Sequence, residues 1–341
     1  MIAPIKSKNQ QTIKSDINLE GIGLHSGKKV NLSIQQAAVN NGIKFIRTDL
    51  IKNNVIESTA QILYKKFFIV GFVYIPGGVT GKITNIDDNF KVQIQEILQV
   101  SFLYLRMDFS NHEDALEKEH LIYNGFKRPS YMIKSLEYCE LDLRKDTKQI
   151  LAEAKPKWRY NHKKSLQNEI IVSIETISED FVLINDELAL EWKVRNNFKD
   201  REVIPMIKEL GTKLITCKAT DKFGNLLAIR ASVISGRRAY HLYNAVSKKG
   251  RNSLSGYRIL IYMIDFLRDS GVDYFEIGPT NQKRFPGPYR FKYGIGYKDS
   301  IFTSLGEWNY SNVFFLERVL NSFIYIYFNS SAFVRKFINN F

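Results

Sequence analysis

Two cations and an aromatic ring stand close together in RFPGPYRFKYGIGYKD, residues 284 to 299, as Arg290, Phe291 and Lys292. A fixed cation can stabilise negative charge that develops only in a transition state, such as the tetrahedral oxyanion formed when an amine attacks an ester. An adjacent ring can form the wall of a cleft. A structural basic loop is the alternative interpretation.

Prolines and glycines flank these three residues. Pro286, Gly287 and Pro288 predict a rigid loop, because proline fixes its own backbone angle. Gly294 and Gly296 have no side chain, which predicts a close approach of other groups to the backbone on the far side.

A second candidate lies in residues 141 to 170, which begin as a strand and continue as a helix whose first turn carries Asp146 and Thr147. Cations interleaved with rings suit a phosphate beside a stackable base, as in a nucleotide-linked or tRNA-borne substrate. A solvated basic helix is the alternative. The residues concerned are Lys155, Lys157, Trp158, Arg159, Tyr160, Lys163 and Lys164.

Metal and nucleotide-loop chemistry find little support in the sequence. The chain has five histidines, and His112 and His120 in HEDALEKEH are eight residues apart, where a metalloprotease pair needs a spacing of four. PGGVTGK lacks the first glycine of a phosphate-binding loop, and Ile83 stands where Ser or Thr is required. We therefore predict no bound metal and no cofactor.

Composition limits the class of protein. At 341 residues with 44% apolar side chains, the chain is expected to form two α/β domains. Two cysteines, Cys139 and Cys217, cannot build a disulfide framework, and no signal peptide opens the chain, so a cytosolic protein is expected. The net charge of +14 indicates a polyanionic partner: nucleic acid, an anionic lipid surface or a phosphorylated substrate.

The elements needed to position these residues follow an α/β order in the first half. Residues 66 to 78, KFFIVGFVYIPGG, predict one buried strand, 88 to 100 a helix, and 101 to 109 another strand. An acidic helix ending at Asn124-Gly125 follows.

The second half predicts an antiparallel sheet packed by a helix. Residues 212 to 246 form a meander of three strands joined by turns at DKFGN and GRR. Residues 255 to 271 have the apolar spacing of a helix closed by Gly271, and VDYFEIG follows as a short strand.

The N-terminal region resembles a different kind of protein from the rest. Residues 11 to 58, which include NLEGIGLHSGKKVNLSIQQ, resemble the start of the UDP-3-O-acyl-N-acetylglucosamine deacetylases. KKVNLSIQQ and NGIKFIRTD alternate as half-buried strands, and Asn41-Gly42 between them predicts a hairpin. The zinc-binding parts of that family have no counterpart later in this chain.

Five blocks between residues 66 and 310 resemble, in order and spacing, the Fem-type aminoacyltransferases, which build peptidoglycan peptide bridges on a tandem GNAT-like fold. The resemblance implies an α/β protein with mixed sheets, its first GNAT-like copy truncated and preceded by a short β-hairpin segment. The blocks are VYIPGGV, LYLRMDFS, the run from NGFKRPSYM to SLQNEI, RRAYHLYNAVS and YFEIGPTNQKRFPGPYRFKYGIGYKD.

The same resemblance implies roles for particular residues. The family carries an oxyanion-stabilising lysine at the place of Lys292, beside which Phe291 would be a cleft wall, and it implies a substrate phosphate contact for Arg159. Tyr293 and Ile295 depart from the family, which usually has a basic residue and an aromatic residue at these places. These departures concern donor or acceptor specificity.

Three further residues are candidates for contact with substrate. Glu276 stands where the family often has Asp, and is either a general base or a structural carboxylate. Tyr243 and Asn244 end a strand near the expected cleft, where they orient the acceptor or pack at an edge. The substrate-binding candidates are Arg159, Tyr160, Lys163, Tyr243, Asn244, Glu276 and Arg290.

The predicted domains are a deacetylase-like β segment at 1–58, a truncated GNAT-like domain at 59–140, a second at 141–310 and an amphipathic helical tail at 311–341. The expected function is transfer of an activated acyl or aminoacyl group to an amine of a cell-envelope precursor. A non-catalytic binding module and a deacetylase fragment are the alternatives.

The expected partners are an aminoacyl-tRNA, or another acyl donor, and a phosphorylated precursor of peptidoglycan or polysaccharide. The absence of a glycine-rich nucleotide loop argues against coenzyme A as donor. The expected location is the cytoplasm, with peripheral contact to the inner membrane through the C-terminal helix and its Arg335 and Lys336. Packing of that helix on the domain is the alternative.

Overall fold

The computed structural model describes residues 6–8, 44–52, 55–81, 83–132, 135–175, 214–283, 286–296 and 300–329. These residues fall into two compact units, one with the residues up to 136 and from 303 onward, the other with those from 137 to 302. The predicted hairpin at Asn41-Gly42, the strand over KKVNLSIQQ and the Arg335–Lys336 pair lie outside the described residues.

The strands, in chain order, are β1 (Lys6–Lys8), β2 (Lys44–Lys52), β3 (Val55–Phe67), β4 (Val70–Ile75), β5 (Val79–Gly81), β6 (Phe102–His112), β7 (Glu137–Asp142), β8 (Ile171–Glu175), β9 (Leu214–Thr220), β10 (Leu226–Ser235), β11 (Arg238–Val246), β12 (Tyr274–Thr280) and β13 (Ile301–Ser311). The helices are α1 (Asp88–Leu98), α2 (Ala115–Tyr123), α3 (Thr147–Glu153), α4 (Pro156–Ser165), α5 (Lys248–Asn252), α6 (Ser255–Asp269), α7 (Pro286–Ile295) and α8 (Phe314–Asn329). The predicted α/β class is confirmed.

The first unit is a mixed sheet in the order β1-β2-β3-β4-β6-β13, with β5 paired to β3. Strands β4 and β6 are parallel to each other, and all other neighbouring strands described in this sheet are antiparallel. Its core joins buried residues of the sheet, such as Ile75 and Leu105, to Phe90 and Ile94 of α1.

The second unit repeats this arrangement in the order β7-β12-β11-β10-β9-β8. Again a single described pair, β11 and β12, is parallel and the others are antiparallel. In each unit a helical connection joins the two parallel strands, as parallel neighbours require. The two units therefore share a topology that no internal sequence repeat reveals.

Local sequence signals explain several helix starts in the second unit. Asp146 caps α3 by accepting from the Gln149 backbone N–H at 2.7 Å, and the Gln149 side chain accepts from the Asp146 N–H at 3.0 Å. This reciprocal pair satisfies two of the donors that a helix start leaves open. Pro156 then begins α4 at the position where its missing N–H costs nothing.

The strand and the turn predicted over residues 66 to 78 are found as β4 (Val70–Ile75) and the turn that follows it, but residues 66 to 69 do not belong to that strand. The run divides at a tight hairpin, with β3 ending at Phe67 and β4 beginning at Val70. Periodicity missed the turn because its residues, Phe68 and Ile69, are not turn formers; Phe68 adopts a φ of 51°, which a bulky side chain rarely does.

Candidate active site in the second unit

Helix α7 carries Arg290, Phe291 and Lys292, and the prediction of a rigid loop here is wrong. Pro286 and Pro288 lie in the first turn of α7, where proline's fixed φ suits a helix and its missing N–H removes no intrahelical hydrogen bond. The prolines therefore start a helix rather than stiffen a loop.

The Lys292 side chain reaches from α7 to strand β12. Its Nζ donates to the Pro279 carbonyl oxygen at 2.8 Å. Gly278, with a φ of 90°, makes room for it, because a Cβ at Gly278 would lie 3.2 Å from Lys292 Nζ and 3.3 Å from His241 Cδ2. The lysine ammonium therefore lies against β12, between the Pro279 carbonyl oxygen and the space left by Gly278.

The Lys292 ammonium lies where the parallel strands β11 and β12 separate. Strands β11 and β12 pair from Arg238 with Tyr274 to Tyr240 with Glu276. Both strands are fully described, and beyond these residues they form no further pairs with each other although each continues for several residues. We call this the β11–β12 gap, residues 241–246 facing residues 277–280.

The ring of Phe291 on α7 packs in a cluster of aromatic side chains. Its ring centroid lies 5.8 Å from that of Trp158 and 5.1 Å from that of Tyr257. Trp158 is 2% exposed, and a Cβ on Gly294 would stand 2.7 Å from its Cδ1. The predicted close approach at Gly294 is confirmed, and the same holds at Gly296, whose Cβ would lie 2.3 Å from Cys139 Sγ.

The buried Cys139 thiol beneath α7 is chemically quiet. Burial raises the pKa of Cys139 to about 12, and the nearby Lys292 lowers it only in part. The thiol is neutral near pH 7 and is therefore a poor nucleophile.

The basic residues of α4 form an exposed surface. Arg159, Tyr160 and Lys163 are all exposed. Arg159 Nη1 donates to the carbonyl oxygens of Ala152 and Ala154 at 2.8 and 3.1 Å, so it closes the end of α3. The phosphate role of these residues stays a prediction.

The other candidates, Glu276, Tyr243 and Asn244, lie on strands β12 and β11. Register places Glu276 beside Glu140 and Tyr240. Side chains alternate along a strand, so Glu276 and Glu140 lie on the face opposite to Cys139, which α7 contacts. Asn244 is exposed at the end of β11, where Tyr243 is also placed. Phe291 and Lys292 are neighbours on α7 but contact different residues, and Glu276 lies on the other face of the sheet.

Sequence reasoning missed Arg230 and His241, which lie on the face covered by α6 and α7. Arg230 Nη1 is 3.5 Å from His241 Nδ1. The signal was available: Arg230 interrupts LLAIRASVIS, an otherwise apolar strand, and arginine is rarely buried without a reason.

Among the described residues, no group of three or more His, Cys, Asp or Glu side chains is arranged to hold a metal ion. Within the same residues, each helix is too short or too polar to span a bilayer.

The chain has a tandem GNAT-like fold, which it shares with solved structures of low sequence identity. It matches FemX with a TM-score of 0.68 at 14% identity, over 85% of this chain and 93% of FemX. It also matches the C-terminal domain of a putative lysylphosphatidylglycerol synthetase from Agrobacterium fabrum, with a TM-score of 0.56 at 10% identity over 87% and 92% of the two chains. L-PGS from Bacillus licheniformis matches with a TM-score of 0.54 at 12% identity, over 90% and 96%.

The N-terminal region matches another family. Residues 10–68 match the model described as "LpxC: UDP-3-O-acyl N-acetylglycosamine deacetylase". The deacetylase of Chromohalobacter salexigens is 56% identical over 55 residues, 16% of this chain and 18% of that protein. That of Shewanella halifaxensis is 56% identical over 41 residues, 12% and 13%. The chain thus spans less than a fifth of the deacetylases it matches, and both predicted resemblances are confirmed.

The deacetylase-like segment builds part of the first unit's sheet. Strands β2 and β3 lie within residues 10–68, and β3 pairs with β4. Ala60 and Ile62 of β3 are 0% and 2% exposed in the same core as Val73 and Ile75. The end of the matched segment is therefore a structural strand of the acyltransferase-like sheet.

We expect Ala60→Asp to lower the free energy of unfolding by about 3–5 kcal/mol, because it buries an unpaired charge in that core. Denaturant unfolding of the full chain measures this. Lys65→Asp, at an exposed position of the same strand, is the control and should change stability by less than about 0.5 kcal/mol. Equal midpoints for both variants would show that β3 does not belong to the core.

Proposed function

We propose that this chain is an N-acyltransferase, of aminoacyltransferase type, that transfers an activated acyl group to an amine of a cell-envelope precursor. The observation that carries the proposal is the ammonium of Lys292 held against the Pro279 carbonyl at the β11–β12 gap. The fold shared with FemX and with L-PGS supports it.

The proposed reaction joins an amine to an ester carbonyl. A C–N bond forms, the ester C–O bond breaks, and the released oxygen takes up the proton that the amine loses. Between these events the carbonyl oxygen carries negative charge. An ammonium has three donors, so Lys292 can hold Pro279 and also donate to that oxyanion.

The remaining site residues have supporting roles in this proposal. Phe291, packed between Trp158 and Tyr257, forms a wall of the acyl site. The exposed cations and ring of α4, with Arg290 on α7, bind the phosphorylated parts of the donor and acceptor. The proposed donor is an aminoacyl-tRNA, which suits the net charge of +14.

The assay that tests the proposal is transfer of labelled amino acids from a mixture of charged tRNAs to peptidoglycan precursors by the purified full chain. Transfer would establish the reaction and identify the amino acid. A folded chain that transfers nothing from tRNA or from an acyl thioester would support the binding-module alternative. Hydrolysis of a UDP-linked N-acetyl group with one bound zinc would support the deacetylase alternative instead.

We also propose peripheral contact with the inner membrane, now through the hairpin between β3 and β4. Phe67, Phe68 and Ile69 are 64%, 79% and 53% exposed, and Lys65 and Lys66 beside them are exposed. Apolar rings flanked by cations are typical of surfaces that enter an anionic lipid interface. We call residues 65–69 the aromatic hairpin tip.

We expect the double change Phe67→Ser and Phe68→Ser to weaken binding to phosphatidylglycerol-containing vesicles by roughly 100-fold or more, since each ring contributes about 1.5–3 kcal/mol when buried. Vesicle flotation measures this. Phe223→Ser is the control, because Phe223 is a 77% exposed ring on the turn between β9 and β10. Equal loss in both variants would contradict a specific role for the aromatic hairpin tip.

A further inference from the structure

A buried guanidinium lies in the middle of the second unit's sheet. Arg230 is on β10, a strand with neighbours on both sides, and is 4% exposed. Burial lowers the pKa of Arg230 to about 10, which still leaves the group charged near pH 7. A buried charge is costly unless it is paired.

The partners of Arg230 do not neutralise it. Its cross-strand neighbours are Cys217 and Asn244, and Nη1 lies 3.5 Å from His241 Nδ1. Across the part of the chain that the structure describes, its Nε has no hydrogen-bond partner and no carboxylate forms an ion pair with it.

The other buried arginine in the described residues is treated differently. Arg106 in the first unit is 3% exposed and pairs with Glu307, which is 2% exposed. Its Nε donates to Glu307 Oε2 at 2.8 Å. Arg106 is thus paired with a carboxylate, and Arg230 has no such pair among the described residues.

Arg230 also lies beside the candidate active site. Its neighbour Cys217 contacts Met263 of α6, so Arg230 is on the helix-covered face of the sheet. His241 lies between Arg230 and Lys292, because His241 Cδ2 and Lys292 Nζ are 3.3 and 3.2 Å from the position that a Cβ on Gly278 would take. Arg230 on β10, His241 on β11 and Lys292 of α7, which reaches β12, therefore form a row toward the β11–β12 gap.

We propose that Arg230 and His241 form an anion subsite of the active site, which receives a carboxylate or phosphate group of a substrate next to Lys292. A guanidinium suits both anions because its N–H groups match paired oxygens. Only the identity of the substrate rests on the proposed function. The folded chain should bind the anion whether or not it transfers acyl groups.

Thermal unfolding of the full chain in inorganic phosphate or acetate, at constant ionic strength set with chloride, tests the subsite. At an anion concentration about tenfold above Kd, the wild-type Tm should rise by roughly 2–5 °C. The anion that gives the larger shift distinguishes a phosphate from a carboxylate as the natural ligand. The absence of a shift with either anion would overturn the proposal.

The variant Arg230→Met separates a binding role from a structural one. Without added anion its Tm should exceed that of the wild type by roughly 2 °C or more, because an unpaired buried charge is removed. Its Tm should not respond to phosphate or acetate, and kcat/KM for acyl transfer should fall by about tenfold or more, because the substrate anion loses a charged hydrogen bond. Arg230→Lys should recover part of the anion response.

Arg106→Met is the matched control and should lower Tm by about 5 °C or more, since it removes the guanidinium from a buried ion pair with Glu307. If Arg230→Met behaves like this control and retains the anion response, Arg230 is structural and the proposal is wrong. An anion response that depends on Arg230 in a chain without transfer activity would support the subsite while the proposed function fails.

Discussion

Replacing Lys292 by alanine is expected to lower the rate of acyl transfer by roughly 100-fold or more, the usual effect of losing one oxyanion donor. The loss should appear mainly in kcat, because the ammonium acts on charge that is present in the transition state and absent from the bound ester. Stability should change little, since the side chain is only half-buried and its contact on β12 is to a backbone carbonyl.

The control for this measurement is Lys148→Ala, which removes an exposed lysine from α3 of the same unit and should leave kcat unchanged. Lys292→Arg keeps the positive charge but moves the donors, so it should recover only a small part of the activity. Retention of full activity by Lys292→Ala would remove Lys292 from the mechanism and with it the observation on which the proposed function rests.

Much of the second unit could be predicted from local sequence. The meander over 212 to 246, the helix closed by Gly271 and the cap at Asp146 each depend on periodicity or on one residue's backbone preference, and all three are found. The helix at 88 to 100 in the first unit, found at Asp88–Leu98, follows the same rule. Such signals are strong because they are decided within a few residues of the chain.

The errors arose where local signals are ambiguous. Prolines can stiffen a loop or open a helix, and residues 286 to 288 do the second. The turn at Phe68 and Ile69 is specified by pairing between β3 and β4, not by turn-forming residues. In both places the local structure depends on contacts with other strands or helices.

The proposed anion subsite shows a further limit of sequence reasoning. Arg230 alone is an arginine in an apolar strand, and the sequence gives no sign of what lies across from it. The strands β11 and β12 separate after Tyr240 and Glu276, and Lys292 lies above Gly278; this arrangement places Arg230 near the candidate site. Such neighbours come from residues far apart in the chain.

Replacing Trp158 by alanine is expected to lower the free energy of unfolding by about 3–5 kcal/mol. The indole is 2% exposed and fills the space between α4, α6 and α7, with Tyr257 at 5.0 Å and Phe291 at 5.8 Å between ring centroids. Urea unfolding of the full chain, followed by near-ultraviolet circular dichroism, measures the loss. Acyl transfer should also fall at temperatures where the variant is folded, because Phe291 and α7 lose their support.

The Trp158→Phe variant separates packing from hydrogen bonding. Within the described residues the buried Trp158 Nε1 has no hydrogen-bond partner, so replacing the indole by a phenyl ring removes an unsatisfied donor and keeps most of the contact. We therefore expect Trp158→Phe to cost less than half as much stability as Trp158→Ala and to retain transfer. Tyr160→Ala, which removes a 57% exposed ring from the same helix, should change stability by less than about 0.5 kcal/mol. If Trp158→Ala unfolds at the same urea concentration as Tyr160→Ala, the aromatic cluster does not hold α7, and the position of Lys292 must depend on its contact with Pro279 and on the packing of Gly296 against Cys139.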